Sequence, residues 1–411
     1  MDVFVERCAG IDVGKVDVKV CVRVPSSRRG KRHQEVRTFL TTTPALLQMR
    51  DWLAEQEVTT VGMESTGVYW KPVFYVLEDD FDTQLLNPAH LKKVPGRKSD
   101  VTDAMWIAQL VEHGLVRPSF VPDPPQRKLR DLTRYRASLV HERTREAQRL
   151  HAMLQDAGIK LDCVASDILG VSGRAMIEAM IGGQRDVEVL ADLARTKMRR
   201  KIGPLRDALT GRFDAHHAAL GRMMLDRIDS ITTTIEGLSA RIVDAMEPFR
   251  RRLERLQTIP GVGPRTAEVI IAEVGAEMDH FASPADLSSW AGMCPGNNES
   301  AGKHFTGRTR PGDVWLRAAL GEAAAAASHT KHTYLGERFR RLARRRGKKR
   351  ALVATGRSIL EAAWIVLSRD VNYRDLGEDH FATHTNVPRR AQQLIRQLNQ
   401  LGYPVALPAA N

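Results

Sequence analysis

Hydrophobic and polar residues change their spacing along this chain, and each change predicts a different kind of element. Up to about residue 115 the apolar residues come in short runs. Cys8–Gly14 is one such run, closed by glycine, and Asp17–Val24 reads Asp-Val-Lys-Val-Cys-Val-Arg-Val. Strict alternation is the pattern of a half-buried strand, and the tight connection between the two runs predicts a hairpin. The basic Ser/Gly-rich stretch Pro25–His33 is a turn, and Gln34–Thr41 supplies a third strand. Pro44 opens a helix through Leu46, Leu47, Trp52 and Leu53. Thr59–Glu64 reads as a buried strand and Val73–Leu77 as part of a short helix. Thr83–Leu86 is a strand stopped by Asn87-Pro88. Asp100–Glu112 is a helix with Ala104, Ile107, Ala108 and Val111 on its inner side.

Pro118, Pro122, Pro124 and Pro125 then make a stiff linker, beyond which the period turns helical. Gln126–Leu154 carries Leu129, Leu132, Leu139, Leu150, Met153 and Leu154 among many arginines. A second helix covers roughly Asp214–Leu256. Its apolar positions Ile228, Ile231, Ile235, Leu238, Ile242, Ala245 and Phe249 alternate steps of three and four. That seam suits a long antiparallel or intermolecular helix pair, coiled-coil in style, which Pro248 must bend or end. From Thr258 to Ala327 short helices alternate with Gly-rich loops. Val353–Leu367 is a last apolar helix, and the Pro-punctuated tail to Asn411 reads as peripheral.

The order of three strands, then helix, strand, helix, strand, helix fits a ribonuclease-H-like sheet, in which an antiparallel meander joins parallel strands at its first strand. An open doubly wound sheet is the alternative, and the leading hairpin argues against it. The fold class is therefore α/β plus mainly α. The expected divisions are 1–117 for the sheet domain, 118–256 for the linker and long helices, 257–372 for a mostly helical domain and 373–411 for the tail.

Charge narrows the function classes. With 62 Lys+Arg against 49 Asp+Glu the formal net charge is +13, which points to a polyanionic partner, most often nucleic acid. Cys8, Cys21, Cys163 and Cys294 lie far apart without a C-x-x-C pair, against a disulfide scaffold or a cysteine-built zinc site. The Met1 end lacks the pattern of a secretory signal, and no apolar run reaches ~18 residues, so a cytoplasmic location without a membrane partner is expected.

Three constellations carry candidate chemistry. The first is Asp12, Glu64, Asp100 and Asp103. Asp12 sits in an otherwise apolar strand, where an unpaired charge is costly to bury. Glu64 ends its strand, and Asp100 and Asp103 share one side of a helix. In a ribonuclease-H-like sheet these positions converge on one edge. Clustered carboxylates repel unless a cation neutralises them, and hard oxygen ligands favour Mg²⁺. Two such ions could orient a scissile phosphate. Local duties fit the same residues: Asp12 closing a strand near Gly14, Asp100 and Asp103 forming a capping box, Glu64 capping the turn Ser65-Thr66-Gly67. The joint pattern in a basic protein favours the metal reading.

The second is Ile259-Pro-Gly-Val-Gly-Pro-Arg265, similar to the turn of helix-hairpin-helix modules. Gly261 and Gly263 allow backbone N–H groups, with Arg265 beside them, to approach a phosphate without base preference. A plain helix–helix turn is the alternative. The third is Cys294–Arg308, leading into Thr309-Arg310. Small, flexible residues surround Ser300, with Lys303, Arg308 and Arg310 near for developing phosphorane charge. The segment is not a Walker P-loop. Beyond these, Arg338–Arg350 holds nine Lys/Arg in thirteen positions, among them Arg344, Arg345, Arg346, Lys348 and Lys349. It is a solvated face or a counter-charge for nucleic acid, as are Arg127, Lys128, Arg130, Arg134 and Arg136.

"GIDVGK" with Asp12, "MESTGVYW" with Glu64 and "NPAHLKKVPGRKSDVTDAMWIAQL" with Asp100 and Asp103 resemble the DEDD transposase N-terminal domain. "LQTIPGVGPRTAEVIIAEVG" and "WAGMCPGNNESAGKHFTGRTRPGDVWLRAAL" resemble the C-terminal domain of the same family. It is the bacterial insertion-sequence group numbered one-hundred-and-ten, related to the pilin-gene-inverting recombinases. The likeness spans roughly residues 7–370. It implies a Holliday-junction-resolvase-like (RuvC-like) domain whose Asp12, Glu64, Asp100 and Asp103 bind Mg²⁺, then a coiled-coil region, then a domain whose Ser300 attacks DNA. It also implies dimers or tetramers with composite sites, the tetrad of one subunit meeting the serine of another. A structured bridge RNA would pair with donor and target DNA. Two other classes stay open: a Mg²⁺-dependent hydrolytic nuclease that uses water, and a non-enzymatic nucleic-acid-binding protein in which the carboxylates are caps.

Overall fold

The computed structural model describes residues 3–26, 31–91, 103–296, 298–300, 303–307, 309–383 and 387–403. They form two units, Met1–Pro122 and Asp123–Asn411.

In the first unit alternation becomes a meander. Strands β1 (Cys8–Val13), β2 (Asp17–Pro25) and β3 (Arg32–Leu40) pair antiparallel, helix α1 (Thr43–Glu55) follows, and β4 (Thr60–Glu64) returns parallel to β1. After α2 (Trp70–Leu77), β5 (Asp82–Leu86) lies parallel to β4, giving the sheet order β3-β2-β1-β4-β5. This is the mixed sheet that the strand order predicts. A short helix α3 (Pro88–Leu91) and α4 (Asp103–Glu112) complete the unit. Val18, Val20, Val22 and Val24 all bury on one face of β2, joined by Ile11, by Leu46, Met49, Trp52 and Leu53 of α1 and by Val73, Phe74 and Leu77 of α2. Truncating one of the larger of these to alanine costs about 2–5 kcal/mol.

The other face of the sheet takes α4, and glycine lets it come close. A Cβ on Gly10 would lie 2.2 Å from the Ala108 nitrogen and 2.4 Å from the Ala104 oxygen; one on Gly62 would lie 2.5 Å from Val111. The helix therefore rests directly on the backbones of β1 and β4. Its C-terminal Glu112 is buried and held by Arg23 (2.8 Å) and Arg32 (2.6 Å). The proline segment is anchored rather than free. Pro118 bridges to Leu86, the Ser119 N–H donates to the Leu85 carbonyl (2.7 Å), and Val121 packs on the core.

In the second unit, Asp123 accepts from the Gln126 N–H (3.2 Å) and caps α5 (Pro124–Asp156), whose first turn takes both following prolines. Between residues 157 and 213, a stretch for which the hydrophobic pattern predicts no element, lie α6 (Val171–Ile181), α7 (Val187–Asp192) and α8 (Ile202–Leu209). They close a core around Leu150, Leu154, Met176, Ile177, Leu205 and Leu225. Then α9 (Ala215–Ala245) returns antiparallel along α5: Leu139 packs with Ile231 and Ile235, whereas Met153 meets Gly221. The seam thus has an intramolecular partner. Met246, not Ala245, continues its buried row. The long helix predicted over Asp214–Leu256 is broken: Pro248 sits in a 3₁₀ turn at Glu247–Phe249 before α10 (Arg250–Leu256).

The remainder comprises α11 (Pro264–Val274), α12 (Pro284–Trp290), the hairpin β6 (Asn298–Ser300) and β7 (Lys303–Thr306), α13 (Val314–Ser328), α14 (Tyr334–Arg346), α15 (Lys348–Arg369), α16 (His380–Thr383) and α17 (Val387–Gln400). By length and hydropathy α15 could cross a membrane. Here Ala351, Ile359, Leu360, Ala363, Val366 and Leu367 are buried, and the helix packs on α12, α13 and α14. The tail returns to α14, where Phe381 stacks on Tyr334 (5.1 Å between centroids) under the Arg341 guanidinium.

Candidate functional site

The carboxylate edge follows from register. Ile11 pairs with Met63 in the parallel β1–β4 ladder, so one step further Asp12 stands abreast of Glu64, on the same face of the sheet. That face bears Gly10 and Gly62, two residues earlier, and so is the face on which α4 lies. The N-terminal end of α4 points towards Asp12 and presents Asp103 in its first turn, where the helix dipole favours a negative charge. Asp12, Glu64 and Asp103 are each half-buried. Burial, and then the nearby Asp103 charge, hold the Asp12 carboxyl above the usual carboxylate range; Lys19 opposes the shift. Lys19 faces Asp12 directly across the β1–β2 ladder. The sequence reading missed this cation, although the hairpin register about Val13 and Asp17 carries the signal.

The chemistry of this set would suit a hard divalent cation: its side-chain donor atoms are carboxylate oxygens, and Asp12 and Asp103 repel each other. Asp100 lies outside the described residues. Among the described residues, no three acids, histidines or cysteines converge closely enough to hold an ion.

Ser300 ends β6 and pairs with Lys303 across the connection to β7, so the expected flexible loop is a short hairpin; their side chains, and Arg308, lie outside the described residues. The hairpin's foot is fixed. Pro295 bridges to Thr309, the Thr309 hydroxyl accepts from Arg317 (3.2 Å), and Asp313 caps α13 through the Leu316 N–H (2.7 Å).

The basic candidates divide. Arg310, Arg344, Arg345, Arg346, Lys348, Lys349 and Arg265 are exposed. On α5, by contrast, Arg134 grips Glu273 with two hydrogen bonds (2.7 and 2.6 Å), Arg130 lies 3.2 Å from the same carboxylate, and Arg136 bonds Glu268 (2.5 Å). These three arginines fasten α5 to α11 rather than presenting a solvated face. Burial pushes the Glu273 carboxyl up despite the arginines around it. At the α10–α11 turn, Gly261 has φ 89°, and a Cβ there would lie 2.2 Å from the Ala323 oxygen, so close approach to α13 requires this glycine. Gly263 caps α11 with open space around it.

Residues 9–159 match a family profile for the DEDD transposase of the IS110 type, described as a transposase, and residues 253–340 match one described as "Transposase IS116/IS110/IS902 family". The chain is 27% identical over 380 residues to the transposase for insertion sequence element IS1111A of Coxiella burnetii, covering 90% of this chain and 91% of that one. It is 24% identical to the transposase for insertion sequence element IS1328 of Yersinia enterocolitica, over 77% and 82% of the two chains. A solved structure of Thermus thermophilus RuvC aligns with 28% of this chain and 99% of its own, at 14% identity and a TM-score of 0.22.

Proposed function

This chain belongs to the IS110 family of insertion-sequence transposases, enzymes that process DNA, and we propose that it joins donor and target strands through a covalent serine ester. The reading rests above all on the edge where β1 and β4 end and α4 begins, where the charges of Asp12 and Asp103 repel each other. Asp12, Glu64 and Asp103, with Asp100, are the residues that would hold Mg²⁺. When bound, that ion supplies counter-charge to a scissile phosphate and eases ionisation of an attacking hydroxyl. The chain's own part is positional. Asp12 and Glu64 are fixed by strand register, and Asp103 is delivered by the seating of α4.

The Ser300 oxygen forms a bond to phosphorus as the bond to the 3′ oxygen breaks. The hydroxyl proton passes to a carboxylate or water, and the departing 3′ oxygen gains one. The phosphoserine ester conserves the energy of the broken linkage, so the 3′-hydroxyl of the partner strand can attack it and release the serine without ATP. The serine acts with the carboxylates of a second copy in a dimer or tetramer. A structured bridge RNA selects the two DNA sites by pairing.

A denaturing gel of full-length protein incubated with labelled donor DNA, Mg²⁺ and the element's flanking RNA tests the chemistry. A protein–DNA adduct is expected with the native chain and not with Ser300→Ala. Undiminished cleavage by Ser300→Ala would instead make the enzyme a hydrolytic nuclease. Adduct formation independent of the RNA would remove the guide from the scheme.

A further inference from the structure

Between α14, α15 and the foot of the β6–β7 hairpin lies an open groove of about 820 Å³. Arg338 enters it from α14, Lys349, Arg350, Arg357 and Glu361 from α15, and the bridged residues Pro295 and Thr309 from the hairpin's foot. Arg357 is paired with Glu361 (2.8 Å). Among the described residues no carboxylate pairs with Arg338, Lys349 or Arg350, so the groove carries a positive surplus. Arg338 is half-buried, 3.5 Å from the Tyr334 hydroxyl, and its Nε has no hydrogen-bond partner among the described residues. A guanidinium partly withdrawn from water without an acid beside it gains from an incoming anion.

The spread of the cations narrows the anion. Arg350 and Arg357, the latter shared with Glu361, are seven residues apart, two helical turns or roughly 10.5 Å along the axis. Charges spread over such a length, with Arg338 entering from the other helix, suit a chain of phosphates better than a single small anion. Val353 and Ala354, on the same face between them, give the groove an apolar stretch. The family to which the chain belongs processes DNA, so DNA is the strand taken here and RNA is the alternative that the test separates.

We propose that this groove holds the phosphodiester backbone of one DNA strand and leads it to the hairpin that carries Ser300. The binding stands on the groove alone; the direction in which the strand is led rests on the reading of Ser300 as nucleophile.

The test is fluorescence anisotropy of full-length protein with a labelled single-stranded DNA oligonucleotide at several salt concentrations, for the native chain and for Lys349→Ala/Arg350→Ala. Both residues are exposed, so circular dichroism melts of the two proteins should coincide. Loss of two phosphate contacts is expected to make the slope of log affinity against log salt shallower by about 1.4 and to weaken binding at moderate salt by at least about 10-fold. Unchanged slope and affinity, or a loss seen only with an RNA oligonucleotide of the same sequence, would overturn the proposal. Ser300→Ala provides the separate arm. It should bind the DNA as the native chain does, so an adduct surviving in that variant ends the nucleophile reading and leaves the groove standing.

Discussion

The carboxylate edge of the first unit and the hairpin of the second place their chemistry by opposite means. Asp12 and Glu64 are locked by the β1–β4 register, and Asp103 by a helix lying directly on strand backbones. Ser300 sits on a two-stranded hairpin whose foot, among the described residues, is held by the Pro295–Thr309 bridge and the Arg317 contact. The first region is acidic, and burial works against its charge. The second is basic and flanks an open groove. Carboxylates set by backbone register suit a hard cation, which takes oxygen donors, whereas the basic surroundings of the hairpin suit a phosphate backbone.

Asp12→Asn challenges the acidic side most severely. If Asp12 is a metal ligand, strand transfer should fall by at least about 10³-fold, roughly 4 kcal/mol of barrier, measured by product formation at saturating DNA. Stability should move the other way. A carboxyl whose folded pKa is raised contributes stability that is fully present below its ordinary value near 3.8 and lost as pH rises through the raised value. At neutral pH the metal-free fold therefore bears the ionised Asp12 as a cost, and the asparagine relieves it. Without Mg²⁺ the variant should melt no lower than the native chain. A clearly lower melting temperature would mean that Asp12 serves the strand end rather than an ion.

Gly10→Ala sharpens the contrast by moving a support instead of a ligand. The new methyl would sit within 2.4 Å of two backbone atoms of α4, so the helix must lift. Overpacking of this kind costs about 1–3 kcal/mol. Thermal melts should show a loss on the scale of several degrees per kcal/mol, with activity falling as Asp103 withdraws from Asp12. Gly237→Ala in α9 is the control: no atom lies within 4 Å of its Cβ position, and the change should stabilise by about 0.5–1 kcal/mol. Equal outcomes at Gly10 and Gly237 would show that the seating of α4 is not tight.

Much of the acidic half was legible in the sequence, because alternation in β2 and the helical period of α4 are local properties. The strand order, the meander and the positions of Asp12, Glu64 and Asp103 all follow from them. The roles of Gly10 and Gly62 were not legible, since a close approach involves residues about fifty or a hundred positions away. Arg130, Arg134 and Arg136 misled for the same reason. On α5 they look like a solvated basic face, and only folding brings Glu268 and Glu273 to them. The helices α6, α7 and α8 escaped because elements of so few turns give little periodicity to count. The groove joins α14 and α15 to a distant hairpin foot, so its charge was readable as a basic run and its shape was not.

The smallest expected effect comes from Lys19→Met, and it asks whether the acidic edge is tuned or merely crowded. Lys19 stands opposite Asp12 in the β1–β2 ladder and draws its carboxyl down, against burial and Asp103. Replacing the ammonium with an apolar chain of similar length leaves the proton better held, so the acidic limb of the activity profile should move to higher pH. The same change removes a positive charge that competes with a divalent ion, so the Mg²⁺ concentration for half-maximal activity at neutral pH should fall a few-fold, more at low salt than at high. The two shifts are coupled by their cause. A metal titration that moves without the pH limb would place Lys19 near the ion but not near Asp12, and a profile in which neither moves would leave the site governed by burial and Asp103 alone.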